Sequence, residues 1–152
     1  TYTKCTVYEE WHNFQNFAQW FDENYYTINN EKMSLDKDIL YKGNKIYSPK
    51  TCVFVPQRIN TLFIKCDAAR GKYPIGVNYH KRLNKYQSRC SILDNNKNKR
   101  KHLGYFDTPE EAFYAYKEFK EKYIKQIADE YKDKIPQKLY NAMYKYEVEI
   151  TD

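Results

Sequence analysis

No run of apolar residues in this chain approaches the roughly 20 that a membrane-spanning helix needs, and the mean hydropathy is −0.97. A membrane partner is therefore not expected. No leader-like segment opens the chain, and it starts at Thr1 and not at Met, as expected of a fragment or trimmed chain. Cys5, Cys52, Cys66 and Cys90 are scattered, with no Cys-x-x-Cys pair and no histidine at zinc-finger spacing. They read as reduced, mostly buried thiols in a cytosolic setting. No internal repeat or low-complexity tract is present, which argues against a solenoid and against a disordered linker protein.

What is present is aromatic and basic. The 152 residues include 17 Tyr and 8 Phe, side chains that bury large areas while Tyr keeps a polar tip in water. The net charge is +6, and it is unevenly spread. Between residues 71 and 102, nine Lys and Arg side chains face only Asp94, a local charge of +8 that leaves −2 for the rest. A concentrated positive charge favours a polyanionic partner. The length accommodates one ordinary domain or two small ones, and the uneven aromatic and charge distribution favours two modules, residues 1–67 and 68–152.

Along residues 9–23, Trp11, Phe14, Phe17, Trp20 and Phe21 recur at helical spacing and predict an amphipathic helix with an aromatic core face. Residues 25–32 read as a polar loop. Short strands are expected at residues 33–35 and 51–55, with a turn at 42–45 and a helix opened by Pro56. Residues 67–72 look like a linker. Two alternating segments follow, residues 75–82 and 85–93. Ile75, Val77 and Tyr79 alternate with Asn78, His80 and Arg82, and Tyr86, Ser88, Cys90 and Ile92 alternate with Lys85, Gln87, Arg89 and Ser91. Residues 94–98 read as a polar hairpin loop into a third strand carrying Arg100 and His102. Thr108 is a predicted N-cap, with Pro109 in the first helical position and Glu110 and Glu111 in the first turn. The helix it opens is expected to run to residues 135–136, before a final helix at 137–146 and a Val148/Ile150 alternation that could add a strand.

One face of the expected sheet thus carries Asn78, His80, Arg82, Lys85, Gln87, Arg89, Arg100 and His102, and it reads as a nucleic-acid contact surface. A twisted sheet can enter a groove about 12 Å wide, where Arg suits guanine, Asn or Gln suits adenine, and Lys suits phosphate. The segments Ile75-Gly76-Val77-Asn78-Tyr79, residues 85–92 and, above all, Leu103-Gly104-Tyr105-Phe106-Asp107-Thr108-Pro109-Glu110-Glu111-Ala112 with Ala115-Tyr116 resemble the AP2/integrase-type DNA-binding domain. The resemblance implies a three-stranded antiparallel sheet lying in the major groove with one helix behind it. It also implies groove-facing places at Asn78, His80, Lys85, Arg89, Ser91, Arg100 and His102. Asn, His and Ser stand where plant members carry Arg and Trp, so the implication covers the mode of binding and not the recognised sequence.

In the first module, Glu10-Trp11-His12-Asn13-Phe14, Leu35-Asp36-Lys37-Asp38, residues 47–55 and Gln57-Arg58-Ile59-Asn60 look like phage and mobile-element proteins of the HNH endonuclease type. That resemblance implies Asp36 at the acidic metal-ligand place, Asn60 at the helical one, Lys37 at the general-base place and Thr51 at the bracing place. A lysine with an ordinary pKa near about 10.4 is protonated at neutral pH and cannot take a proton from water. Lys37 is better suited to hold a phosphate. His12 on the aromatic helix reads as a surface or core histidine, and Asp36 and Asn60 are left open between metal ligands and structural residues.

The expectation is an α+β protein with an HNH-like ββα module followed by an AP2-like three-stranded antiparallel sheet on a long helix, with a C-terminal helix. Its expected function is double-stranded DNA binding, sequence- or structure-selective, by a phage or mobile-element protein in the cytoplasm of a bacterial host. No cofactor is expected unless the HNH-like site is retained, in which case Mg²⁺ is. Two alternatives stand beside it: metal-dependent DNA nicking, and a phage-encoded interaction module that docks on or inhibits a host nucleic-acid enzyme, with a host protein as partner. Oligomeric state is left open.

Overall fold

The computed structural model describes residues 4–64, 71–94 and 97–152. The expected linker at 67–72 lies outside these except for Gly71 and Lys72, as do Cys66 and the hairpin residues 95–96. The fold is mixed α+β, and the chain divides into two compact units, Thr1–Phe63 with Ala128–Tyr144, and Ile64–Ile127 with Lys145–Asp152. The division expected at 67/68 assigned residues 128–144 to the second module, whereas they cluster with the first.

In the first unit, β1 (Thr6–Val7) precedes a 3-10 turn (Glu9–His12) and helix α1 (Phe14–Asn24). The single helix expected over 9–23 is therefore broken at Asn13, whose side chain accepts from the Gln15 amide at 3.0 Å and caps α1. His12 lies exposed in the 3-10 turn. Strand β2 (Met33–Asp36) pairs antiparallel with β4 (Val53–Pro56), and β3 (Ile46–Tyr47) pairs in parallel with β1. The β1–β3 pair is too short to show any sequence period. Helix α2 (Gln57–Leu62) starts directly from the strand at Pro56. The core is aromatic: Trp11 lies 4.8 Å from Trp20 between ring centroids, Trp20 stacks on Phe54 at 5.5 Å, and Tyr26 donates to the Phe54 carbonyl at 2.7 Å. Tyr131 donates to Glu31 at 2.8 Å, and Leu139 and Met143 of helix α4 (Gln137–Lys145) are fully buried.

In the second unit, β5 (Val77–His80), β6 (Lys85–Asp94) and β7 (Lys97–Phe106) form an antiparallel sheet in the order β5-β6-β7. Helix α3 (Pro109–Glu130) follows, and the boundary between units falls within it. Its Ala112, Phe113 and Tyr116 pack with Val77, Cys90 and Val148, flanked by Ile75, Tyr86, Leu103 and Phe106. Alternation explains why Val77, Tyr86 and Cys90 face the helix. Thr108 caps α3 as expected: its hydroxyl accepts from the Glu111 amide at 3.2 Å while the Glu111 carboxylate accepts from the Thr108 amide at 3.3 Å, a reciprocal box worth about 1 kcal/mol. Gly76 takes φ +78°, and a Cβ there would run into the Tyr116 ring.

Three further expectations are corrected. Helix α3 ends at Glu130, and residues 131–134 turn, so it stops short of Ile135 and Pro136. The hairpin loop is tighter than residues 94–98, because Asp94 pairs with Lys97 and Leu93 with Asn98. Residues 148–150 form no strand. The Val148 amide instead donates to Glu121 at 2.9 Å and its carbonyl accepts from Lys117 at 2.8 Å.

Candidate nucleic-acid interface

Residues directly opposite one another in an antiparallel pair share a face. Across β5 and β6, Asn78 stands opposite Gln87 and His80 opposite Lys85. Across β6 and β7, Arg89 stands opposite His102 and Ser91 opposite Arg100. The face inferred from alternation is thus brought together on the side away from Val77, Ser88 and Cys90, which are buried. Arg82 lies beside it in the exposed turn of residues 81–84, which is closed by the Leu83 amide donating to His80 Nδ1 at 3.3 Å. Not all of the local positive charge is here. Lys99 and Lys101 pair with Ile92 and Cys90 and so stand on the helix side, with Lys101 Nζ 4.9 Å from the Phe119 ring centroid.

Tyr105 joins this face although strict alternation from His102 would turn it inward. Between Ser88 and Arg89 the register shifts: Ser88 pairs with Gly104 and Arg89 with His102, which leaves Leu103 as an extra residue. This bulge reverses the facing of everything beyond it, so Tyr105 stands opposite Gln87 and is 42% exposed. The available signal was Gly104 inside a strand pattern, since an isolated glycine there marks a bulge.

The centre of the face is a small polar and aromatic cluster. Tyr105 lies 4.6 Å from the His102 ring and 5.4 Å from the His80 ring, between centroids. The Gln87 amide nitrogen is 3.1 Å from His102 Nδ1 and donates to the Tyr105 hydroxyl at 3.3 Å. Lys85 is ion-paired with Asp107 at the rim. β5 pairs with residues 85–88 and the Arg89 amide donates to the Gly76 carbonyl at 2.9 Å, so beyond Arg89 strands β6 and β7 continue as a two-stranded ribbon.

In the first unit, Asp36 ends β2 opposite Val53. Its Oδ1 accepts from the Asp38 and Ile39 amides at 2.8 and 2.7 Å, closing the turn that follows. Burial pushes its carboxyl up, and those two amides pull it partly back. Lys37 pairs with Asp38 at 3.3 Å and approaches the Tyr47 ring at 5.7 Å. Burial would lower the Lys37 ammonium, but Asp38 outweighs it and the net shift is upward, so Lys37 is held protonated. It would have to leave Asp38 to hold a phosphate. Thr51 donates to the Ile46 carbonyl at 2.8 Å, and Asn44, which sequence reading missed, braces the same loop more fully. Its amide donates to the Lys37 and Ile46 carbonyls at 2.7 and 2.8 Å. The Asn60 side chain, half-buried on α2, makes no hydrogen bond among the described residues. Among the described residues no three His, Cys, Asp or Glu side chains group as a metal-holding set.

No helix among the described residues is long and apolar enough to cross a membrane. Comparison with protein-family models, with curated proteins and with solved structures finds no match to this chain.

Proposed function

We propose that this protein binds double-stranded DNA by laying the outer face of β5-β6-β7 into the major groove, with the first unit as a non-cleaving companion module. The observation that carries the reading is the convergence of Asn78, His80, Lys85, Gln87, Arg89, Ser91, Arg100 and His102 on one sheet face, inside the +8 stretch of the sequence. Dimensions support it. Two strands about 4.8 Å apart form a ribbon that fits a groove about 12 Å wide. Ten residues at about 3.4 Å each reach along roughly one turn of duplex. Arg89 and Arg100 then supply base or phosphate contacts, Asn78 and Gln87 base contacts, and Lys85 and Arg82 phosphate contacts. The likeness of residues 75–116 to AP2/integrase-type domains points the same way, and so does the likeness of the first unit to HNH proteins from phages and mobile elements. Protonated Lys37 at the base position favours binding over cleavage.

The test is a titration of labelled duplex with wild type and with Arg89→Glu/Arg100→Glu, alongside plasmid incubated with Mg²⁺ or Mn²⁺. The reading expects binding that the charge-reversed variant loses and no nicking. Nicking abolished by Asp36→Ala would replace it with the endonuclease reading. Undiminished binding by the charge-reversed variant would remove the sheet from the interface.

A further inference from the structure

Resting on the proposed DNA-binding reading, we infer that Gln87 is a clamped specificity residue that presents only its carbonyl oxygen to the bases, and so selects an amino-bearing base, adenine or cytosine, at one position of the site. A glutamine amide has two N–H donors and one carbonyl acceptor. Both donors of Gln87 are engaged within the protein, one toward His102 Nδ1 at 3.1 Å and one toward the Tyr105 hydroxyl at 3.3 Å. Because an amide nitrogen can only donate, Nδ1 of His102 is the acceptor in this contact. The Tyr105 hydroxyl accepts from Gln87 and keeps its own proton to give. The Tyr105 ring is flanked by the rings of His80 and His102, which fixes the hydroxyl that holds Gln87. Oε1 of Gln87 has no hydrogen-bond partner among the described residues.

A free glutamine reads adenine bidentately, its N–H to N7 and its carbonyl to the N6 amine. The clamp removes the first half of that contact. What remains is an acceptor, and the only major-groove base donors are adenine N6 and cytosine N4. Clamped Gln87 therefore accepts either base and rejects guanine and thymine, whose major-groove edges offer only acceptors and, for thymine, a methyl group. Releasing the clamp should narrow the choice to adenine alone.

The experiment selects bound duplexes from a randomised pool with wild type, Gln87→Leu, Tyr105→Phe and His102→Phe. Wild type is expected to enrich A and C over G and T at one position by roughly tenfold, on the scale of part of a bidentate contact. Gln87→Leu should lose that preference, and Tyr105→Phe and His102→Phe, each freeing one donor, should shift the same position toward adenine alone. Binding in which Gln87→Leu keeps the preference, in which both clamp variants leave it unchanged, or in which no base is preferred, overturns the inference and leaves the DNA-binding reading standing. Absence of duplex binding by wild type overturns both.

Discussion

Removing Arg89 and Arg100 together should change how DNA affinity depends on salt, and the size of that change can be worked from the sheet. The cations to which phosphate contacts are assigned on or beside the outer face are Arg82, Lys85, Arg89 and Arg100. If each neutralises one phosphate, log affinity against log salt has a slope of about −3.6, and raising salt from about 50 to about 200 mM costs roughly 150-fold. Arg89→Ala/Arg100→Ala should flatten the slope to about −1.8 and the loss to roughly 12-fold. Lys99 and Lys101 stand on the helix side, so Lys99→Ala/Lys101→Ala should flatten it much less. The assay is fluorescence anisotropy with one duplex at several salt concentrations. A wild-type slope near zero, or equal flattening by the two double variants, would refute the assignment of the phosphate contacts to this face.

Other outcomes follow from packing and titration. Gly76→Ala forces a Cβ 2.7 Å from Tyr116 Cε2 at φ +78°, so left-handed strain and overpacking together should cost about 2–5 kcal/mol in urea unfolding; a loss below about 1 kcal/mol would mean the Tyr116 ring yields freely. Asp36 has a folded pKa raised above its ordinary 3.8, chiefly by burial, so its charge costs stability that is absent below that value and grows as pH rises through the folded value. Asp36→Asn keeps an Oδ1 for both amides, and its Tm should match or exceed wild type at pH 7, with any gap closing toward pH 4; a clear drop at pH 7 would show that the charge is needed. Burial pushes the Glu121 carboxyl up, but Lys117 and the Val148 amide outweigh it and hold it below 4.5. Its contribution is therefore present above that value and lost as pH falls through the folded one. Glu121→Ala should cost about 1–2 kcal/mol and loosen the Val148 amide in hydrogen exchange, and unchanged protection there would contradict the role given to Glu121.

The outer face was legible because period-two alternation survives in Asn78, His80, Lys85, Gln87 and Arg89 even where the inner face holds polar Ser88. The start of α3 was legible because Thr108, Pro109 and Glu111 are local signals, complete within one turn. Tyr105 was missed because alternation assumes unbroken register, and one extra residue, Leu103, inverts it. The β1–β3 pair joins residues 40 apart through two-residue strands, with no periodicity to read. Val148 and Ile150 alternate like a strand, yet the Val148 backbone is satisfied by the Glu121 and Lys117 side chains, a long-range partnership that no local pattern announces. Asn44 looks like an ordinary turn residue in Lys42-Gly43-Asn44-Lys45 until its two carbonyl partners are seen.

The most direct test of the central claim is residue-level mapping of a duplex onto the protein by amide and side-chain chemical-shift changes in NMR titration. The account expects the largest changes at Asn78, Gln87, Arg89, Arg100, His102 and Tyr105, with small ones at Asp36, Lys37 and Asn60. Changes centred on the first unit, or none on β5-β6-β7 at saturating duplex, would contradict it.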